Sequence, residues 1–476
     1  MLSPTKSLQD MGCFEDQIAE HGCFVSDRPL SVARAPGRLD VMGGNVDYTG
    51  GMVLQGLLRE AVWVAVQPRS DDQIRVLNPG AARFGWAIDI QFRIGELSDP
   101  ESVRAHCEQR EGLRWGCYVL GALYFLKRFH GCEGGAEVFI ASDLPPNKGV
   151  SSSAALEIAT LKAAAAAWGV SLCGVELATA GQWVENMVAG AACGIMDQAA
   201  IVLGREGHLL PMLCQPCRPF SPVTLPSALC IWGIDSMTPR STSGQAYEAA
   251  RAAAFMGYRL ICQFEGIEVV PEQHAAIPRW TDLRWKGYLS NLTVSEFRTR
   301  YERRLPEFLS GREFIECAGE HVDLFTRIDP VREYPVRAAV RYATEENFRV
   351  QQVSALLGAV AGGSAESSLR NSFISVGEIL CQSHVAYAEC GLGSADCDEL
   401  VARALNAGLP GAKMTGGGAG GVVAVLGCPA DWPIVCAIAQ EYAAARGVMP
   451  HIFEGSSDGV DAFGVRTLEP GLTRGV

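Results

Sequence analysis

Three glycine-rich stretches and one isolated carboxylate hold the residues of this chain whose types and spacing could do chemistry. In Asp143-Leu-Pro-Pro-Asn-Lys-Gly-Val-Ser-Ser-Ser-Ala-Ala-Leu-Glu157, two prolines and Gly149 interrupt regular structure, and three serines precede a long Ala/Leu/Ile run. The pattern reads as strand, loop, helix. Serine is a favoured N-cap, and the first helical turn leaves backbone N–H groups unpaired with partial positive charge behind them, which suits an anion. Gly149 lets the backbone approach a phosphate, and the hydroxyls of Ser151, Ser152 and Ser153 add donors or a magnesium ligand. An ordinary capped helix is the alternative.

The stretch Pro36-Gly-Arg-Leu-Asp-Val-Met-Gly-Gly-Asn-Val-Asp-Tyr-Thr-Gly-Gly51 packs five glycines, two aspartates, an arginine and an asparagine into sixteen residues. It reads either as a loop close to a ligand, with donors and acceptors for a polyol, or as a solvated turn between two strands. In Ala412 to Leu426, Gly416, Gly418 and Gly421 spell G-x-G-x-x-G, but a β-branched strand follows where a dinucleotide fold needs a helix. That reading fails, and no Walker A pattern occurs. The stretch is either a flexible hairpin or a loop pressed against a ligand and another loop. Asp197 lies between Met196 and Ala199, where a carboxylate loses solvation unless a cation or a proton donor faces it. It is either a charge at a helix N-terminus or a working base.

The elements that must position these groups follow from periodicity. A polar lead-in with a short helix covers residues 1 to 28. Ser31 to Ala35 is strand-like, and short apolar runs at 61–66, 73–77 and 86–92 alternate with turn residues as antiparallel strands do. Helical spacing runs from Arg114 to Phe129, with Trp115 and Tyr118 among its apolar positions, and a second helix covers about 175–189. A strand at 231–235 leads into a Ser/Thr/Gly loop ending at Tyr247, and the domain boundary is set near 225. Helices are expected at 297–305, after a capping box of Thr293 and Glu296, and at 345–359, 369–390 and 398–407.

Composition bounds the partners. At 476 residues and 48% hydrophobic, the chain is globular with two or three domains. A net charge of -13 excludes an electrostatically driven nucleic-acid or membrane-surface partner, so any phosphate is held by a local site. Seventeen cysteines at irregular spacing read as reduced, mostly buried thiols, and Cys214-Gln-Pro-Cys217 lacks a second pair for zinc. No apolar run has the length of a signal peptide or a membrane span, which sets a cytoplasmic expectation.

Three motifs in fixed order resemble the GHMP small-molecule kinases. Ala35-Pro-Gly-Arg-Leu-Asp-Val-Met-Gly-Gly-Asn-Val-Asp-Tyr48 is similar to the galactokinase sugar signature. Pro145-Pro-Asn-Lys-Gly-Val-Ser-Ser-Ser-Ala-Ala155 is similar to the family's ATP phosphate loop, and Lys413-Met-Thr-Gly-Gly-Gly-Ala-Gly-Gly421 to its C-terminal glycine loop. The likeness runs from about 30 to 465. Within the family it resembles most the kinase half of plant L-arabinokinases, at 37–44, 233–236, Ala254-Phe-Met-Gly257, Phe453-Glu-Gly-Ser-Ser457 and a segment from about 285 to 350 that includes Glu345-Asn-Phe-Arg-Val350. The glycosyltransferase-like N-terminal half of the plant proteins is expected to have no counterpart here.

The resemblance implies an α+β, two-domain GHMP kinase fold. A ribosomal-protein-S5-like N-terminal domain (28–225) with an antiparallel or mixed sheet would join an α/β C-terminal domain (226–470), with the active site in the cleft between them. It implies an ATP-dependent sugar 1-kinase using Mg²⁺, acting on small molecules as a monomer or homodimer. Asp197 matches the family's base and Arg38 the arginine facing it; Asp47, Asn45, Gly44, Tyr247 and Gly194 match sugar-binding positions. ATP is assigned to Lys148, Gly149, Val150, Ser151, Ser152, Ser153, Ala154, Trp115, Gly417 and Gly418, and the metal to Ser152 and Glu185.

Where galactokinases carry Glu-His, this chain has Gly44-Asn45, a pair associated in that family with the sugar's C6 end. A site lacking those groups leaves less unpaired when C6 is missing, which makes L-arabinose the expected sugar, with galactose or a uronic acid as alternatives. Gly44 is also expected to open space for a hexose. Thr238-Pro-Arg240 and Ala419 depart from the galactokinase pattern.

Overall fold

The structure is a computed structural model and describes residues 10–25, 27–239, 244–272, 277–361 and 366–469. Arg240 therefore lies outside the described residues, as does most of the lead-in before Asp10.

A nine-stranded sheet forms the first layer. Its spine is Leu30–Met42 against Met52–Pro68, a long antiparallel pair whose register shifts between Pro36 and Arg38. The irregularity is where a proline can sit without costing the ladder a hydrogen bond. Strand Ala136–Ser142 pairs antiparallel with Met52–Pro68 and parallel with Gln73–Leu77, so the sheet is mixed. His208–Leu213 extends the far end of the long strand.

Helix Ser152–Ala167 lies across the two long strands beside helix Gly116–His130. Its Ala/Leu/Ile composition makes it apolar on nearly every side, and it is the buried centre of the largest core cluster. Helix Gly174–Trp183 continues into a wide π-turn, Val184–Val188, carrying Glu185; periodicity predicts one regular helix here.

The second sheet orders Gly411–Met414, Val422–Gly427, Cys230–Asp235 and Ile452–Phe453, all antiparallel. Behind it stand the helices Val336–Ala361 and Glu366–Glu389, longer than the runs expected at 345–359 and 369–390. Helix Gln245–Phe264 joins the first of them, Val336–Ala361, in a separate core cluster with Trp285, Phe297, Tyr301 and Phe314. The chain returns to the first sheet at the end: Arg466–Leu468 pairs with Leu30 to Val32. No helix among the described residues is long and apolar enough to cross a membrane.

Three expectations are corrected. The loop expected from Pro36 begins only at Gly43, because the first strand runs on through Arg38 to Met42. Trp86 is not in a strand; Pro79–Phe84 forms a short 3₁₀ turn and pairing resumes at Asp89. After Thr293, whose hydroxyl accepts from the Glu296 N–H, only Val294–Glu296 is α-helical before a π-turn over Phe297–Tyr301.

Candidate active site

Arg38 reaches the site because the first strand carries it inward: it is 1% exposed and among the largest fully buried side chains. Its Nε donates to Asp197 Oδ1 at 2.9 Å, Nη2 reaches the same oxygen at 2.8 Å, and Nη1 donates to the Gly149 carbonyl at 2.6 Å. Asp197 opens helix Met196–Leu203, where a negative charge meets the positive end of the helix. Its second oxygen accepts from Ser151 Oγ at 2.5 Å. Ser151 is the first residue of the serine turn and has φ 62°, an uncommon left-handed conformation for a residue with a side chain. Its hydroxyl makes no helix cap, contrary to the expected role, and is committed to Asp197. Strand, serine turn and helix therefore meet in one charge-assisted cluster.

A second polar layer stands behind the first. Ser153 Oγ donates to Glu185 Oε1 at 2.9 Å, and Gln198 Nε2 bridges Glu185 Oε2 at 2.6 Å and Glu157 Oε1 at 2.8 Å. Burial, then the neighbouring negative charge, holds both carboxyls above the usual range, Glu157 well above it. Among the described residues no three His, Cys, Asp or Glu side chains gather to hold a metal. Among the residues that line the cavity, Ser151, Ser152, Ser153 and Asp197 bring hard oxygen donors to the serine turn, which fit a magnesium ion keeping waters and phosphate oxygens as its other ligands. Glu185 does not border the cavity.

That cavity, about 510 Å³, runs from the serine turn and Asp197 to an aromatic end formed by Phe84, Trp86, Trp115 and Tyr118. Trp115 Nε1 donates to the Ala87 carbonyl at 3.2 Å, which fixes its ring in the wall. Gly149 lines the cavity, while the side chains of Val150 and Ala154 are in the core. Lys148 does not line it; its ammonium pairs with Asp235 at 2.8 Å. Sequence reasoning missed Phe84, Trp86 and Tyr118, although the aromatics on either side of Gly85 were a usable signal.

Gly417 and Gly418 also stand away from the cavity. Their hairpin is pressed against the phosphate-type loop through Gly421, where a Cβ would come 2.7 Å from the Lys148 carbonyl. Gly416 N–H donates to Asp40 Oδ2 at 3.2 Å, and Tyr387 Oη donates to the Gly416 carbonyl at 2.6 Å.

The polyol loop closes the other side. Asp47 is buried against Gly194, where a Cβ would fall 2.1 Å from its Oδ2, and that oxygen faces the Met196 N–H at 3.4 Å. Burial, reinforced by Asp197 and opposed by Arg251, pushes the Asp47 carboxyl up to about 6. Tyr247 stands edge-on to Tyr48 with ring centres 5.9 Å apart. Asn45 is 4% exposed with φ 61°, and neither of its amide atoms has a hydrogen-bond partner. It faces a void of about 10 Å³ lined by Tyr48, Tyr342 and Leu392. Gly44 does not open space: a Cβ there would lie 1.9 Å from Tyr387 Oη and 2.4 Å from the Gly416 carbonyl.

Known proteins are similar to this chain in sequence and fold. Residues 117–205 match the GHMP kinases N terminal domain, and residues 22–68 the galactokinase galactose-binding signature. The chain is 35% identical over 502 residues to L-arabinokinase of Arabidopsis thaliana, covering 94% of this chain and 48% of that protein. It thus spans about half the length of that relative. To the galactokinase of Roseiflexus sp. (strain RS-1) it is 27% identical over 420 residues, covering 88% of each. Its fold is similar to that of Lactococcus lactis galactokinase solved with galactose, with TM-score 0.72 at 21% identity over 96% of this chain and 100% of that one. A mevalonate kinase gives TM-score 0.53 at 13% identity, over 90% of this chain and 99% of its own. Two family models, of the GHMP kinases and of the galactokinases, thus match this chain, and its relatives similar over most of its length are of the galactokinase-like kind.

Proposed function

We propose that this chain is an ATP-dependent sugar 1-kinase acting on a galactose-configured pyranose, with L-arabinose the first substrate. The observation that carries it is the cluster of Arg38, Asp197 and Ser151 at the inner end of a cavity whose outer end is aromatic. The aromatic end suits a nucleobase, and the serine turn suits a triphosphate. The sugar lies between Asp197 and Asp47, in the domain cleft formed by residues 28–225 and 226–470.

The anomeric O–H gives its proton to Asp197 as its oxygen attacks the γ-phosphorus, and the bond from that phosphorus to the β,γ-bridging oxygen breaks to release ADP. Arg38, buried and doubly bonded to Asp197, orients the base and places a fixed cation where charge develops. Ser152 is the proposed metal ligand, with Glu185 acting on the site through Ser153. Bound magnesium would neutralise phosphate charge. Asp47 and Asn45 offer an acceptor carboxylate and an unengaged amide to sugar hydroxyls. L-Arabinose rests on the 35% identity to L-arabinokinase and on Gly44-Asn45 standing where galactokinases carry Glu-His.

The test is ATP consumption with L-arabinose, D-galactose, D-galacturonate and D-glucuronate. Turnover best with L-arabinose is expected. Faster turnover of D-galactose defeats the sugar assignment, and no turnover with any pyranose defeats the kinase assignment.

A further inference from the structure

The run Glu345-Glu-Asn-Phe-Arg-Val350 has no part in the chemistry above, yet it lies directly against the polyol loop. Glu346, on helix Val336–Ala361, is fully buried. Its Oε1 accepts from the Gly43 N–H at 3.2 Å and from Ser383 Oγ at 2.7 Å, and its Oε2 accepts from Arg349 Nη1 at 2.7 Å. Asn347, the next residue, accepts from the Met52 N–H at 2.8 Å and donates to the Ser290 carbonyl at 3.0 Å. One turn earlier, Tyr342 Oη donates to the Gly44 carbonyl at 2.7 Å.

Gly43 and Met52 are the two ends of the loop that carries Asn45 and Asp47. Adjacent residues of one helix therefore hold both ends, and a third holds the carbonyl one residue inside. The loop needs holding. Four of its residues are glycines, which lose the most conformational freedom on ordering. It also keeps Asn45 in a left-handed conformation with a buried, unpartnered amide, and Asp47 buried near a second carboxylate. Such an arrangement persists only when the surroundings over-determine it.

We propose that Tyr342, Glu346 and Asn347 are positioning residues for the sugar, fixing the loop backbone so that Asn45 and Asp47 are already in place when the pyranose arrives. The helix sets sugar affinity without touching the sugar. This rests on the sugar-kinase reading above. Ordering the loop beforehand removes a cost that would otherwise fall on sugar binding, and it leaves the nucleotide cavity unaffected.

The test uses the full chain with Asn347→Ala, Asn347→Asp and Glu346→Gln. In Asn347→Ala, loss of both bonds is expected to raise the sugar KM about tenfold, with kcat and the ATP KM within about twofold of the parent. Asn347→Asp keeps the acceptor for the Met52 N–H and is expected to recover part of the loss. Amide hydrogen exchange should quicken at residues 43–52 in Asn347→Ala and stay unchanged in the serine turn. An unchanged sugar KM, an equal rise in both KM values, or unchanged exchange at 43–52 overturns the proposal. Failure of Asn347→Ala to fold moves the same readings to Asn347→Asp and Glu346→Gln, whose unchanged sugar KM also overturns it. Absence of turnover by the parent with every sugar overturns the kinase reading instead, while the exchange measurement still decides whether the helix orders the loop.

Discussion

Arg38 and Asp197, 159 residues apart in the chain, meet through two guanidinium nitrogens on one carboxylate oxygen, leaving the other oxygen for Ser151. The carboxylate is thereby aimed from two sides, and its 17% side-chain exposure is toward the cavity.

Asp197→Asn keeps the shape of the side chain and removes the proton acceptor. Turnover is expected to fall by about 10² to 10⁴, while ATP and sugar still bind. Coupled ATP-consumption kinetics and titration calorimetry check both halves, and unchanged turnover removes Asp197 from the chemistry.

Asp47 gives a pH dependence with a definite sign. Its carboxyl rises from 3.8 to about 6 in the folded protein, chiefly through burial. Between those values the folded state holds the proton more tightly than the unfolded chain does, so this group's contribution to stability declines as pH rises through the window. On the proposed assignment of Asp47 to the sugar, binding would run the other way, because the ionised carboxylate would accept hydroxyl bonds that the protonated form accepts less well. The sugar kcat/KM is expected to climb through about pH 6, and the limb should disappear in Asp47→Asn. A pH profile unaltered by that substitution refutes the assignment.

Gly44→Ala places a methyl 1.9 Å from Tyr387 Oη. Overpacking of this kind costs about 1–3 kcal/mol, and Tyr387→Phe in the same chain is expected to return part of it. Thermal unfolding of the two single variants and the double variant measures the coupling, and strict additivity would show that the two residues do not compete for the space.

Trp86→Ala removes an aromatic face from the outer end of the cavity. The ATP KM is expected to rise about threefold to tenfold, with the sugar KM unmoved. Equal binding of ATP by parent and variant in calorimetry would place the base elsewhere.

The sequence made the centre of the site legible because each motif is local. The glycines around Arg38, the serine turn and the turn before Asp197 each announce a backbone that must come close to something. Phe84 and Trp86 were harder to read: Trp86 fell in a run read as a strand and Phe84 outside any run, and only the turn at Pro79–Phe84 brings them to a cavity. The roles of Tyr342, Glu346 and Tyr387 were not legible at all. Their partners lie 298, 303 and 29 residues away, and helical periodicity records that a face is buried, not which backbone it meets. The space expected at Gly44 was wrong for the same reason. The wide turn carrying Glu185 left no trace in composition either.

Strand Arg466–Leu468 sits beside Leu30 to Val32, next to the pair that carries Arg38. The polypeptide is in effect laced shut: residues written last hem the rim of the layer written first. Trimming the chain before Arg466 would bare a run of unpaired amides on that rim, the template on which one copy recruits another. Affinity handles and fusion partners for this protein are therefore better attached beyond Leu468 with a spacer than grafted in place of the tail.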